Sequence, residues 1–157
     1  TENACVFDAI ITRMSDGQKE MIFGETEITA LNFVRKLLSW IKKRYIKDTE
    51  NVSITFGSDV TDDTTHIYRD TEEGDRLRDR EALTEQLTRA EASPNDMFYD
   101  MPGNDPLMIW MAGLFPWRII YTFRNDVGND VSETLYLDTQ RRPQRVAHFI
   151  SNSTHIR

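Results

Sequence analysis

Apolar and polar residues alternate in the first part of the chain. Four apolar side chains recur there at a period of two, which predicts a β-strand over residues 5–13. They are Cys5, Phe7, Ala9 and Ile11. The Asp16-Gly17 pair that follows is typical of a tight turn, and residues 19–24 are expected to pair back on the first strand. The pattern predicts an N-terminal β-hairpin.

The next stretch repeats its apolar positions every three to four residues, as one face of an α-helix does. The stripe comprises Ile28, Leu31, Val34, Leu37, Leu38, Ile41 and Tyr45. Thr26 is a suitable N-cap, and Lys47 lies at the opposite end, where the helix dipole favours cations. We therefore expect one long amphipathic helix from Thr26 to Lys47 that packs across a sheet.

The middle of the chain predicts two strands and a second helix of different character. Residues 51–56 and 65–69 are expected to be strands, and a helix should run from Asp75 to the Ser93-Pro94 pair, which cannot continue it. Its apolar edge is thin and charged side chains cover the rest. Such a helix is expected to lie largely in solvent or against a partner.

Residues 97–115 are rich in Met and aromatic side chains. Asp105 is expected to cap a short apolar helix over 107–114 that has Pro106 at its first position. This helix is interpreted as part of the core, although the Trp110 region also suits a homodimer or partner interface, or a ligand pocket. Three alternating segments follow between residues 117 and 150, and they predict an antiparallel three-strand meander.

These elements predict a single α+β domain over residues 1–157. Its antiparallel sheet would consist of the N-terminal hairpin and the C-terminal meander, packed against one long amphipathic helix, with a charged helix and a short apolar helix added. The tail 151–157 is expected to fray.

Charge is distributed unevenly along the 157 residues, whose net charge is −7. Residues 1–50 balance to zero and residues 106–157 carry a small positive excess, so the negative charge belongs to residues 51–105. This balance disfavours binding to phosphate backbones, and we expect no direct nucleic-acid partner. It suits a partner protein with a basic surface.

Cysteine content and apolar run length indicate where the protein works. Cys5 is the single cysteine of the chain, which agrees with a reducing compartment. The longest apolar run, 107–115, is much shorter than the roughly 20 residues needed to cross a bilayer. No signal peptide is recognised, so a cytoplasmic location with no membrane contact is expected.

Seven carboxylates are concentrated in one short tract, and they are the candidate partner-binding residues. The tract comprises Asp59, Asp62, Asp63, Asp70, Glu72, Glu73 and Asp75. It is interpreted as a solvated loop, as a surface for a basic partner, or as a divalent-cation site. Its spacing does not match a calcium loop, and no cofactor or metal is expected.

The histidines support an alternative interpretation. His66 or His148, with nearby carboxylates, could serve a small hydrolase or nucleotide-processing enzyme, which requires both histidines to converge on one cleft. Known catalytic motifs are not recognised in the chain, so no catalytic residue is assigned. The leading hypothesis is an acidic protein-binding module, such as an inhibitor, immunity or counter-defence protein of phage or bacterial origin, that blocks a basic or catalytic surface of its partner.

Overall fold

The computed structural model describes most of the chain. The described residues are 4–58, 64–68, 71–100, 105–115, 117–124, 127–137, 146–151 and 156. They form a mixed α+β structure of five helices and one five-stranded sheet. The helices are α1 (Cys5–Arg13), α2 (Asp16–Phe23), α3 (Ala30–Thr49), α4 (Glu73–Ala92) and α5 (Pro106–Leu114). The strands are β1 (Val52–Ser58), β2 (Thr64–Ile67), β3 (Arg118–Arg124), β4 (Asp130–Leu137) and β5 (Val146–Ile150).

The N-terminal segment is helical, so the predicted hairpin is wrong. Val6 and Ile10 are buried together with Phe7, Ala9 and Ile11 of the alternating set. Buried side chains at these consecutive positions are typical of a helix that is apolar on most sides. Ser15 begins α2 through a capping box: its side chain accepts the amide hydrogen of Gln18, whose side chain in turn accepts the amide hydrogen of Ser15. The segment interpreted as a turn is therefore a helix start.

The three remaining helices agree with the sequence pattern, with small shifts in their ends. Thr29, rather than Thr26, caps α3 by accepting the amide hydrogen of Asn32. The charged helix is α4. Asp105 caps α5 as predicted, because its carboxylate accepts amide hydrogens from Leu107 and Met108. Pro106 occupies the first turn, where its missing amide hydrogen costs nothing.

The short helix α5 lies at the centre of the structure. It contacts β1, β3 and β4, and it also contacts α3 and α4. Most of its side chains are buried, which agrees with a sequence that is apolar around the whole helix. Gly113 permits this packing, because a Cβ there would lie 1.9 Å from the main-chain oxygen of Asp48 in α3.

The sheet has the strand order β2-β1-β4-β3-β5. β1 pairs antiparallel with β2 and β4, and β3 pairs antiparallel with β4. β5 pairs with β3 in parallel, so the predicted three-strand meander is wrong in its last strand. The alternating pattern of β5 is equally compatible with antiparallel pairing to β4 and with parallel pairing to β3. The pairing of Ala147 with Ile119 on the buried face is a tertiary contact, which the local pattern does not specify.

The sheet has one buried face and one face that is open to solvent to differing degrees. Across the strands, the row formed by Ile54, Leu135, Ile119 and Ala147 is fully buried. The adjacent row, which includes Ile120 and His148, belongs to the other face because successive residues of a strand alternate. The helices therefore stabilise one side of the sheet.

The described residues of the tail expected to fray are tied to the sheet, because the Ser151 amide donates to the carbonyl oxygen of Thr122 at 2.8 Å. Ser151 and Ile156 form an isolated antiparallel bridge, and Ile156 is 6% exposed. A buried isoleucine holds this end of the chain against the core. Within the described ranges, no helix is both long enough and apolar enough to cross a membrane.

Candidate functional site

The acidic tract lies partly outside the described residues. Asp59, Asp62, Asp63 and Asp70 belong to the part that the structure does not describe. Glu72 and Glu73 are exposed at the N-terminal end of α4. Asp75 is half-buried and forms an ion pair with Arg78, so its charge is partly compensated. Glu72 and Glu73 are thus the described members that present uncompensated charge to solvent.

The backbones of the two histidines of the enzyme hypothesis belong to different strands, His66 to β2 and His148 to β5. β2 and β5 are the opposite edges of the sheet, four strand spacings or about 19 Å apart. His66 pairs with Ile54 and His148 pairs with Ile120, which are register positions on opposite faces. The enzyme hypothesis therefore stays a prediction. His148 Nε2 lies 3.3 Å from the Thr122 hydroxyl, and no carboxylate of the described residues forms an ion pair with it.

Trp110 belongs to the core rather than to an exposed interface. Its side chain is 0% exposed, its ring packs against Tyr45, and its indole Nε1 donates to Asp48 across 3.2 Å. Burial raises the pKa of Asp48, whereas this hydrogen bond and Arg44 lower it. The Trp110 side chain itself is therefore inaccessible, and a homodimer through the surrounding region stays a prediction.

The exposed aromatic residue of this region is Phe98. Its neighbours Met97 and Tyr99 are buried, and the alternation turns Phe98 outward with 63% of its surface exposed. Tyr99 is held on two sides, because its ring meets Phe7 edge-on and its hydroxyl donates to Asp105. Phe98 is thus presented to solvent from a segment whose adjacent side chains are anchored in the core.

Gln86 fixes the same segment to α4. Its side-chain amide donates to the carbonyl oxygen of Asp100 at 3.0 Å, and its side-chain oxygen accepts the amide hydrogen of Asp100 at 2.8 Å. A turn in which the Asp96 amide donates to the Ser93 carbonyl oxygen closes the other end. The segment from Ser93 to Asp100 therefore runs along the C-terminal half of α4 with both ends fixed.

A groove of about 430 Å³ lies between α4 and this segment. It is lined by Ala82, Glu85, Gln86, Arg89, Ser93, Asp96, Phe98 and Asp100. Three of these side chains are carboxylates and one is cationic, and the cation, Arg89, is paired with Glu85. The groove thus combines an exposed aromatic ring with an excess of negative charge, a combination that suits a cationic side chain.

Asp105 is the most strongly perturbed carboxyl group with a described environment. It is 1% exposed, and its pKa is raised to about 7. Burial is the main cause and the charge of Glu133 adds to it, whereas the hydrogen bonds from Tyr99, Met108 and Leu107 lower the pKa. A carboxyl group with this pKa suits acid–base chemistry, but complete burial separates it from any substrate. Its role here is to hold Tyr99 and the start of α5.

Sequence reasoning did not identify the groove. The signal is present in the alternation of Met97, Phe98 and Tyr99, but a run of three apolar residues is also typical of a core cluster. The role of Gln86 could not be predicted from the sequence, because its side-chain amide hydrogen-bonds to the main chain of Asp100, 14 residues further along the chain. In the part of the chain that the structure describes, no group of three or more His, Cys, Asp or Glu side chains is arranged to hold a metal.

Comparison with protein-family models, with curated proteins and with solved structures found no match to this chain. The geometry of its own residues therefore carries the functional argument.

Proposed function

We propose that this chain is a protein-binding module that covers a basic or catalytic surface of a partner protein, in the manner of an inhibitor, immunity or counter-defence protein. The observation that carries the proposal is Phe98, which stands 63% exposed between two buried neighbours beside the carboxylates of the groove. Rigidly held aromatic side chains are the usual anchors of protein interfaces. Phe98 would lose little conformational freedom on binding, because its segment is already fixed.

The charge around the groove supports a basic partner. Residues 72–100 contain nine acidic and four basic side chains. An arginine or lysine of the partner could lie over the Phe98 ring while it pairs with Asp100. Charges at the edge of such an interface accelerate association at low salt more than they increase affinity. The lone cysteine of the chain agrees with a reducing compartment such as the cytoplasm.

The experiment that tests this proposal starts from the immobilised chain. Partners captured from the native host are identified by mass spectrometry, purified, and titrated against the chain by calorimetry. Phe98→Ala is expected to weaken the complex about 30-fold, since truncation of an interface anchor costs roughly 2 kcal/mol or more. Met21→Ala is the matched control, because Met21 is also apolar and is 75% exposed on α2.

Two results would contradict the proposal. The first is a purified partner that binds Phe98→Ala and the native chain equally well. The second is an equal loss of affinity in Phe98→Ala and Met21→Ala. Circular dichroism of both variants separates a defect in binding from a defect in folding.

A further inference from the structure

The outward face of α3 is cationic, in a chain whose net charge is negative. Between Ala30 and Lys47 the sequence contains six basic residues and no acidic one. They are Arg35, Lys36, Lys42, Lys43, Arg44 and Lys47. Five of them are exposed and Lys36 is half-buried. Exposed helices of soluble proteins usually mix charges of both signs, so this segregation points to an anionic ligand.

Three of these cations form a continuous stripe together with Trp40. Lys36, Trp40, Lys43 and Lys47 are spaced by four, three and four residues, which places them on one side of the helix. At 1.5 Å per residue the stripe extends about 16 Å. The cations of Lys36 and Arg44 lie 5.2 and 5.7 Å from the centre of the Trp40 ring. The indole ring of Trp40 therefore makes cation–π contacts with both Lys36 and Arg44.

Little of this positive charge is neutralised within the described residues. Arg44 pairs with Asp48 at 3.4 Å, and no other cation of the α3 face forms an ion pair there. Cations near the C-terminal end of a helix are favoured by the dipole. That effect reaches only the last turn, so it accounts for Lys47 but not for Arg35, Lys36 or Lys42.

Apart from the half-buried Trp40 ring, the face has none of the large apolar side chains that are most exposed, which discriminates between two kinds of ligand. A protein interface needs a desolvated apolar centre. The most exposed large apolar side chains of the described residues are Met21, Phe98, Val127, Val146 and Ile150, and none of them belongs to α3. Interfaces with nucleic-acid backbones are polar and strongly positive. The α3 face resembles the polar, positive interfaces with nucleic acids, whereas the Phe98 groove resembles a protein interface with an apolar centre.

We infer that the α3 face binds the phosphate backbone of a nucleic acid, without base specificity, through Lys36, Lys43, Arg44 and Lys47. This inference differs from the expectation of no nucleic-acid partner, which is based on the net charge of −7 and on the acidic excess of residues 51–105. The zero balance of residues 1–50 spans three helices and does not show the cations of α3. It does not rest on the proposed function, because it uses a different helix, and either can fail without the other.

Fluorescence anisotropy with a labelled 30-base-pair duplex and a labelled 30-base oligothymidylate tests the inference. Micromolar binding of the duplex is expected at 50 mM NaCl. For three to five phosphate contacts, affinity should fall about 40- to 500-fold between 50 and 200 mM NaCl. Oligothymidylate is expected to bind with a shallower dependence on salt.

A charge-matched pair of variants locates the site. Lys36→Gln, Lys43→Gln and Lys47→Gln together should reduce the slope of log affinity against log salt by about 2.7, or 0.9 for each phosphate that is no longer neutralised. The control combines Arg78→Gln, Arg118→Gln and Arg124→Gln, which removes the same charge from exposed side chains elsewhere. The control should retain the slope and most of the affinity, and circular dichroism should show both variants folded.

Three outcomes would overturn the inference. One is no change in anisotropy of either probe at 50 mM NaCl with 50 µM protein, on the order of the weakest non-specific affinities. Another is an equal loss in both triple variants, which would assign the effect to net charge. The last is tighter binding of polyglutamate than of the duplex, which would indicate an acidic protein as the ligand of α3.

Discussion

The hydroxyl group of Tyr99 donates to the carboxylate of Asp105, at 3.0 Å from one oxygen and 3.2 Å from the other. One of these oxygens also accepts the two amide hydrogens that begin α5. A single buried carboxyl group therefore ties the segment that presents Phe98 to the central helix of the fold. The stability of the core and the geometry of the candidate groove depend on the same residue.

Asp105 should make stability depend on pH. Its pKa is raised from 3.8 to about 7 in the folded protein, so the folded state retains a proton that the unfolded state releases between these values. The stability associated with this group is complete below about pH 4 and declines as pH rises to 7. Asp105→Asn should make the slope of unfolding free energy against pH less negative, by up to about 1.4 kcal/mol per pH unit.

Urea unfolding at several pH values between 4.5 and 8 measures this slope. Asp105→Ala serves as the comparison, because it removes the cap as well as the charge and should lose about 1–2 kcal/mol relative to Asp105→Asn. Identical slopes for the native chain and Asp105→Asn would show that Asp105 does not titrate in this range.

Gly113 is required by the close approach of α5 to α3. A Cβ at this position would meet the main-chain oxygen of Asp48, and neither backbone can yield without moving a helix. We expect Gly113→Ala to lower the unfolding free energy by about 3 kcal/mol. Gly74→Ala is the control in α4, where a Cβ meets nothing within 4 Å, and it should gain up to about 1 kcal/mol. Equal effects of the two substitutions on the urea midpoint would be incompatible with this packing.

Arg13 attaches α1 to the edge strand β5. Its guanidinium donates to the carbonyl oxygen of His148 at 2.7 and 3.0 Å and lies 4.3 Å from the centre of the Phe149 ring. Arg13→Lys keeps the charge but removes the paired donors, so we expect stability to fall by about 1–2 kcal/mol. Hydrogen exchange of the β5 amides should accelerate more than that of β4. Arg124→Lys, at an exposed ion pair, should change stability by less than about 0.5 kcal/mol.

The acidic tract and the groove can be separated by neutralisation. Conversion of Asp59, Asp62, Asp63, Glu72 and Glu73 to their amides should slow association with the captured partner and flatten its dependence on salt. Conversion of Glu85, Asp96 and Asp100 to amides should also speed dissociation, because these side chains surround Phe98. Surface plasmon resonance measures both rates. Unchanged association after neutralisation of the tract would remove it from the binding surface.

The candidate site could be predicted only in part from the sequence. Glu72 and Glu73 are exposed at the N-terminal end of α4, and their role in binding stays a prediction. Asp75 was not distinguishable from them, although its ion pair with Arg78 depends only on helical spacing. Phe98 and Gln86 could not be assigned, because the groove exists only once residues 93–100 lie against α4. The net charge of residues 1–50 does not reveal the cations of α3, because the acidic residues elsewhere in this segment cancel them.

The sequence by itself determined α3, α4 and α5, including the cap at Asp105 with Pro106 after it, because caps, prolines and a 3.6-residue period act within one turn of the chain. It did not decide whether residues 5–13 form a strand or the helix α1, because the same apolar residues fit an alternating pattern and a helical pattern. Only the tertiary structure placed β5 parallel to β3. It also decided that Phe98 is exposed to solvent and that Trp110 is buried in the core. Such contacts join residues distant in the chain, and local propensity does not specify which distant neighbour a strand or ring will meet.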